Sequence, residues 1–152
     1  MIIVERIDSG ADLDTLVEEI NTASWDEAND LAVYDAGALR AYLELDGTVF
    51  LACHELSDGA RTLLGIASGR LEMKPYGGER WLYVDEVDVR IDQRRKGAGS
   101  ALMNRMFATA RAAGCTEVWL GTEVDNVAAN ALYRSLDPDE IAQVVGYTWA
   151  LD

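Results

Sequence analysis

Between Val84 and Leu102 the chain reads V-D-E-V-D-V-R-I-D-Q-R-R-K-G-A-G-S-A-L, and few arrangements satisfy a stretch of that kind. Val84, Val87, Val89 and Ile91 favour extended backbone, so a strand comes first. Gly97 and Gly99 then relax the chain where it must turn and keep side chains away from a close ligand. From Ser100 on, Leu102, Met103, Met106, Phe107 and Ala110 recur at helical spacing. The free N–H groups of that helix's first turn therefore lie beside Arg94, Arg95 and Lys96. Backbone donors, the positive end of the helix dipole and three cations converge, which is the chemistry of a pyrophosphate site.

Known phosphate loops are separated by their glycine spacing. The P-loop requires Gly-Lys followed by Ser or Thr, whereas the order here is Lys96-Gly97. The dinucleotide fingerprint fails at its third glycine, where Leu102 stands. R-x-x-G-x-G fits, from Arg94 through Gly97 to Gly99, and resembles the acetyl-CoA pyrophosphate loop of the GNAT superfamily of N-acyltransferases. A second stretch, Glu123 to Tyr133, reads E-V-D-N-V-A-A-N-A-L-Y, with Asp125 or Asn126 as a helix N-cap. It resembles the second GNAT signature, N-x-x-A-x-x-L-Y, through Asn126, Ala129, Leu132 and Tyr133. Where the family usually continues with Gly-Phe, this chain has Leu136-Asp137-Pro138, which puts the path into a last strand, Val144 to Leu151, in doubt.

The resemblance implies an α/β (α+β) GNAT fold: a mixed, mostly antiparallel central sheet, splayed between two parallel strands and flanked by helices. It also implies acetyl transfer from acetyl-CoA to an amine. Cofactor contacts fall on Val87 and Val89, on the turn Arg94, Arg95, Lys96, Gly97, Ala98, Gly99 and Ser100, and on Asn126 and Tyr133. Val89 offers its N–H to the thioester carbonyl, where negative charge grows. Tyr133 protonates the departing thiolate. Among family members, an acidic strand before the loop, A-L-Y-R-S-L and a terminal V-G-Y-T-W-A-L are nearest to the type I aminoglycoside 3-N-acetyltransferases. A polyamine or a protein or peptide amine is the alternative acceptor, and a non-catalytic acyl-CoA-binding module is the alternative of another class.

An attacking ammonium must first lose a proton, and the strand before the turn supplies Asp85, Glu86 and Asp88. Alternation puts Glu86 and Asp88 on one face and Asp85 on the other, unless a bulge alters the parity. Glu86, three residues before Val89, is the expected general base, directly or through a water; Asp88 or a water chain is the alternative. Net charge is −14, which disfavours nucleic acid and anionic membrane and favours a cationic small-molecule amine. Trp25, Asp26, Glu27 and Asp30, in an irregular acidic and aromatic segment, join Glu86 and Asp88 as expected acceptor contacts.

At 152 residues the chain reads as one domain, 1–152. No apolar run is long enough for a membrane span and no signal peptide is apparent, so a cytoplasmic location is expected. The reading leaves room for a homodimer. Cys53 and Cys115 are expected as free thiols, and adjacent Cys53 and His54 face opposite ways on a strand, so no metal is expected. In order, the pattern predicts a strand at Ile2 and Val4, a helix carrying Leu13, Leu16, Val17 and Ile20, and a loop from Asn21 to Asp35. A short helix from Ala36 to about Leu43 follows, with strands at Thr48 to Glu55 and Arg61 to Met73, the latter bent or bulged between Gly65 and Gly69. Gly114 ends the central helix, and Val118-Trp119-Leu120 returns as a strand parallel to the one before the turn.

Overall fold

A computed structural model describes all residues, Met1–Asp152, in two compact units, Met1–Leu120 and Gly121–Asp152. In the first unit the order is β1 (Ile2–Arg6), α1 (Leu13–Thr22), a 3₁₀ turn (Glu27–Asn29), α2 (Ala36–Glu44), β2 (Thr48–Ser57), β3 (Ala60–Met73) and β4 (Arg80–Val89). A second 3₁₀ turn (Ile91–Gln93), α3 (Ala98–Ala112) and β5 (Glu117–Trp119) complete it. The sheet runs β1-β2-β3-β4-β5, antiparallel except for the parallel pair β4/β5. This is the mixed, mostly antiparallel, helix-flanked sheet that the resemblance implies.

Local chemistry explains each boundary. Asp12 caps α1 by accepting from the Thr15 N–H, and Leu13, Leu16 and Ile20 are buried along one stripe. With Leu39 of α2 they pack on Phe50, Ala52, Leu63 and Ile66. On the opposite face α3 buries Leu102, Met103 and Met106. The β2–β3 hairpin turns on Asp58 and Gly59, both at positive φ (51° and 75°), the geometry that Asp-Gly favours in tight hairpins. Gly47 is required for space as well as for φ, since a Cβ there would lie 2.6 Å from the Leu71 carbonyl oxygen.

Two bulges interrupt the ladder. One falls between Cys53 and His54. There the Arg61 guanidinium donates to His54 Nδ1 at 3.2 Å, so that nitrogen carries the lone pair. His54 Nε2 lies 2.8 Å from Glu19 Oε2, so the ring joins β2, β3 and α1. The other bulge lies where Ser68 faces Glu86 and Gly69 faces Val84, leaving Asp85 as the extra residue of β4.

In the second unit, α4 (Val127–Ser135) starts at Asn126, whose side chain accepts from the Ala129 N–H at 3.1 Å. Asn130 donates back to the carbonyls of Glu123 (3.0 Å) and Asn126 (2.8 Å), pinning the approach to the helix. The strand expected at Val144 to Leu151 does not form, and no helix or strand follows Ser135. The chain leaves α4 through Asp137 at φ 54° and Pro138, which has no N–H. Alternating apolar residues make a strand only when a ladder partner takes up their backbone groups. The Tyr147 and Trp149 rings lie near each other, centroids 6.2 Å apart.

Candidate active site

The parallel pairing of β4 with β5 is short: Trp81 with Glu117, Leu82 with Val118 and Tyr83 with Trp119. On its other side β4 stays paired with β3 as far as Val89, opposite Gly65. From Val84 onward, β4 thus has one edge engaged and one edge that β5 has left. The Arg90 N–H donates to the Leu64 carbonyl of β3 at 2.8 Å. Backbone groups alternate sides along a strand, so the N–H groups of Val89 and Val87 are directed to the edge without β5. Those are the two strand residues singled out from the motif.

The turn after β4 reaches α3 through Arg95 (φ 67°) and Gly97 (φ 81°), both left-handed. Gly97 is the N-cap of α3 and no side chain caps this helix, whereas Asp12, Asp35 and Asn126 cap the other three. Space around Gly97 is open, with nothing within 4 Å of where a Cβ would stand. The turn's cations are placed by carboxylates: Arg94 Nη2 lies 2.8 Å from Asp26 Oδ2 and Lys96 Nζ 2.6 Å from Glu55 Oε2. The Ala28 N–H, and after it Arg94, hold the Asp26 carboxyl below its ordinary range; Lys96 does the same for Glu55. Uncapped helix donors, open space and exposed cations together fit a pyrophosphate.

On the α1/α2 face, Glu86 and Asp88 stand opposite Ser68 and Ile66, and their environments differ. Glu86 is exposed. Asp88 is 5% exposed; its Oδ1 accepts from the Asn29 amide at 3.2 Å and its Oδ2 has no partner. Burial, with the nearby Glu86 charge, pushes the Asp88 carboxyl up to about 6 despite the Asn29 hydrogen bond. The same two acids, after burial, raise the Tyr34 phenol. Asp85 departs from simple alternation because it is the bulge residue. It pairs with Arg70 (Nε to Oδ2 3.2 Å), and its charge, like that of Glu86, acts on the Tyr42 hydroxyl.

The acidic segment before α2 is pinned to this end of β4. Ser24 accepts from the Ile91 N–H at 2.9 Å, Asp26 holds Arg94, and Asn29 holds Asp88. Trp25 is committed to the scaffold, since its indole N–H donates to the Ile20 carbonyl at 2.8 Å and its ring packs on the α1/α2 core. Glu27 and Asp30 are exposed. Asn29 was not singled out from the sequence, where an Asn between acids reads as turn chemistry. In the second unit, Asn126 spends its side-chain oxygen on the α4 cap and Tyr133 is half-buried in the second half of that helix.

Residues 12–137 match the acetyltransferase (GNAT) family model. The chain belongs to the GNAT family. A Pseudomonas paraeruginosa L-methionine sulfoximine/L-methionine sulfone acetyltransferase is 35% identical over 120 residues, covering 76% of this chain and 64% of the relative. The match thus spans less than two thirds of that relative's length. An aminoglycoside acetyltransferase from an uncultured soil metagenomic sample, solved with sisomicin, superposes with a TM-score of 0.82 at 19% identity, over 99% of this chain and 97% of that one. A ribosomal-protein-alanine N-acetyltransferase from Brucella melitensis gives 0.71 at 18%, over 99% of both chains. At such identities the superpositions establish the GNAT fold alone.

Proposed function

We propose that this GNAT chain moves an acetyl group from acetyl-CoA to a primary amine of a polycationic small molecule, with an aminoglycoside, at its 3-N position, as the favoured acceptor. The observation that carries the reading is the open edge of β4 leading into an uncapped helix start, with a buried, incompletely bonded carboxylate one residue away from Val89. Acetyl-CoA supplies the activated acetyl group as a thioester. Arg94, Arg95, Lys96 and the first N–H groups of α3 hold its pyrophosphate, and the Val89 N–H donates to the oxygen on which charge builds. Asp88 Oδ2 takes the proton from the attacking ammonium; its raised affinity for protons, absent from an ordinary exposed carboxylate, suits a base working near neutrality. Glu86, first choice from the sequence, then holds the acceptor's charge at the rim. Tyr133 keeps the role that the family's second motif implies, giving a proton to the departing thiolate.

The acceptor class is argued from charge. An amino acid such as methionine sulfoximine carries a carboxylate that needs a cation, while Arg70 on the acidic face is already committed to Asp85 and Glu72. A second reading nevertheless has the sequence relatives behind it, namely an amino-acid-like acceptor. The deciding experiment incubates the protein with acetyl-CoA and aminoglycosides, polyamines, peptides or methionine sulfoximine, and follows free-thiol release. Turnover with aminoglycosides above the rest is expected. Turnover with methionine sulfoximine alone selects the second reading, and binding of acetyl-CoA without any turnover makes the chain a non-catalytic module. Replacing Arg94 and Arg95 by Ala should weaken acetyl-CoA binding by roughly 1.5 to 3 kcal/mol per lost charge-assisted contact, read by calorimetry. Tyr133→Phe should lower kcat by about 10- to 1000-fold at unchanged acetyl-CoA affinity.

A further inference from the structure

One short turn meets both parts of the candidate site. Asp26, which caps the 3₁₀ turn Glu27–Asn29 by accepting from the Ala28 N–H at 3.0 Å, also bonds Arg94 of the pyrophosphate turn. At the other end Asn29 donates to Asp88 Oδ1, and just upstream Ser24 accepts from the Ile91 N–H. The position of the Asn29 amide is therefore fixed from the end of β4 at two further points, and its partner is a carboxylate whose second oxygen has nothing to bond.

We infer that Asn29 is a positioning residue for proton removal: its amide occupies Asp88 Oδ1, fixes the plane of the carboxylate, and leaves Oδ2 as the atom that collects the acceptor's proton. A carboxylate with both oxygens unbonded could rotate about its χ2 torsion and offer either one; a donor on one oxygen removes that freedom. In the step itself one N–H bond of the ammonium breaks, its electron pair stays on nitrogen, and the proton goes to Oδ2, to be released later to water. The inference rests on Asp88 as the base.

Asn29 also sets when that base is available. The groups acting on Asp88 are Glu86 on its own strand, which disfavours ionisation, and the Asn29 amide, which favours it. Tyr34, ahead of α2, feels both acids, while β3 presents apolar Ile66 opposite. Loss of the amide bond therefore raises the proton affinity of Asp88, and a second carboxylate in its place raises it more.

The test is the pH profile of kcat/KM for the acceptor, measured with saturating acetyl-CoA on wild type, Asn29→Ala, Asn29→Asp and Asp88→Asn. Asn29 is exposed, so its variants are expected to fold, and thermal melts check that they do. The acid limb should move up by about half a unit to one unit in Asn29→Ala and further in the isosteric Asn29→Asp. The acceptor KM well above the limb should change less than kcat. A limb that stays in place in both Asn29 variants, while Asp88→Asn has lost it, overturns the positioning role and leaves Asp88 as the base. A limb that persists at its wild-type position in Asp88→Asn overturns Asp88 itself and the inference with it.

Discussion

The two faces of the sheet are built from the same strands to opposite ends. Toward α3, Gly65 and Gly69 leave just enough room for Leu102 and Met106, with Leu82 beside them, and Leu82, Leu102 and Met106 are all 0% exposed. Toward α1 and α2 the core is apolar at Phe50, Ala52, Leu63 and Ile66, then gives way along β4 to Asp85, Glu86 and Asp88. On the α3 face the buried hydroxyl of Thr109 is satisfied within its own helix, donating to the Arg105 carbonyl at 2.8 Å. The other face buries a carboxylate with an unbonded oxygen, which costs stability. The bulge at Asp85 makes this division possible, because it keeps Val84 on the α3 side with Val87 and Val89 although they differ in parity.

The strongest way to break that contrast is Asp88→Asn. At pH 7 kcat/KM should fall by about 10²- to 10⁴-fold if Oδ2 is the base, and the protein should become more stable. Asp88 binds its proton up to about pH 6 in the folded chain, against an ordinary value of 3.8. Between those values the folded state carries a proton that the unfolded state lacks, so stability falls as pH rises through that window and stays lower above it. Removing the ionisable group should restore on the order of 1 to 3 kcal/mol at pH 7 and nothing near pH 3. Denaturant melts at the two pH values measure this. A destabilised variant at pH 7 would mean that the buried charge is compensated and that the two faces do not differ in kind.

The α3 face should respond in the opposite manner. A Cβ at position 69 would stand 2.7 Å from the Tyr83 carbonyl oxygen and 3.2 Å from Leu82 Cδ1, and strand backbone cannot yield as a flexible side chain does. Gly69→Ala is expected to lower stability by about 1 to 3 kcal/mol, equally at pH 5 and pH 8. A pH-dependent loss would show that the substitution reaches the acids across the sheet through the adjacent bulge.

Much of this division was legible in the sequence, and the exceptions have physical causes. The parity of the acids on β4 was left open to a bulge, whose residue the sequence could not name. The helix start at Asp125 or Asn126 was readable because capping is local chemistry. The start of α3 was read from Ser100 on, whereas the helix begins at Ala98 with Gly97 as its N-cap. Glu86 was chosen over Asp88 by its place in the motif; which of the two is buried was not legible, since both sit on one face by parity and only the packing of the segment around Asn29 and Tyr34 buries Asp88. The last strand was misread because Val144 to Leu151 has a strand's pattern, and pattern says nothing about whether a neighbour is there to pair.

The smallest expected effect concerns the rim of the acidic face, where charges are exposed and screened. Glu27 and Asp30 have no ion-pair partner among the bridges of the structure, whereas Asp26 is tied to Arg94. Their attraction for an ammonium is worth at most about 1 kcal/mol each and reaches about 8 Å at physiological ionic strength. Neutralising Glu27 and Asp30 together should raise KM two- to tenfold for an acceptor with several ammonium groups, and less for one with a single ammonium, because every additional charge loses its own attraction. The difference should fade as salt is raised. Adding Asp26→Asn should change acetyl-CoA binding rather than the acceptor's, since that carboxylate serves the pyrophosphate turn. Equal effects on both acceptors at every ionic strength would reduce the loop acids to solvated surface and confine acceptor recognition to exposed Glu86 and buried Asp88 on β4.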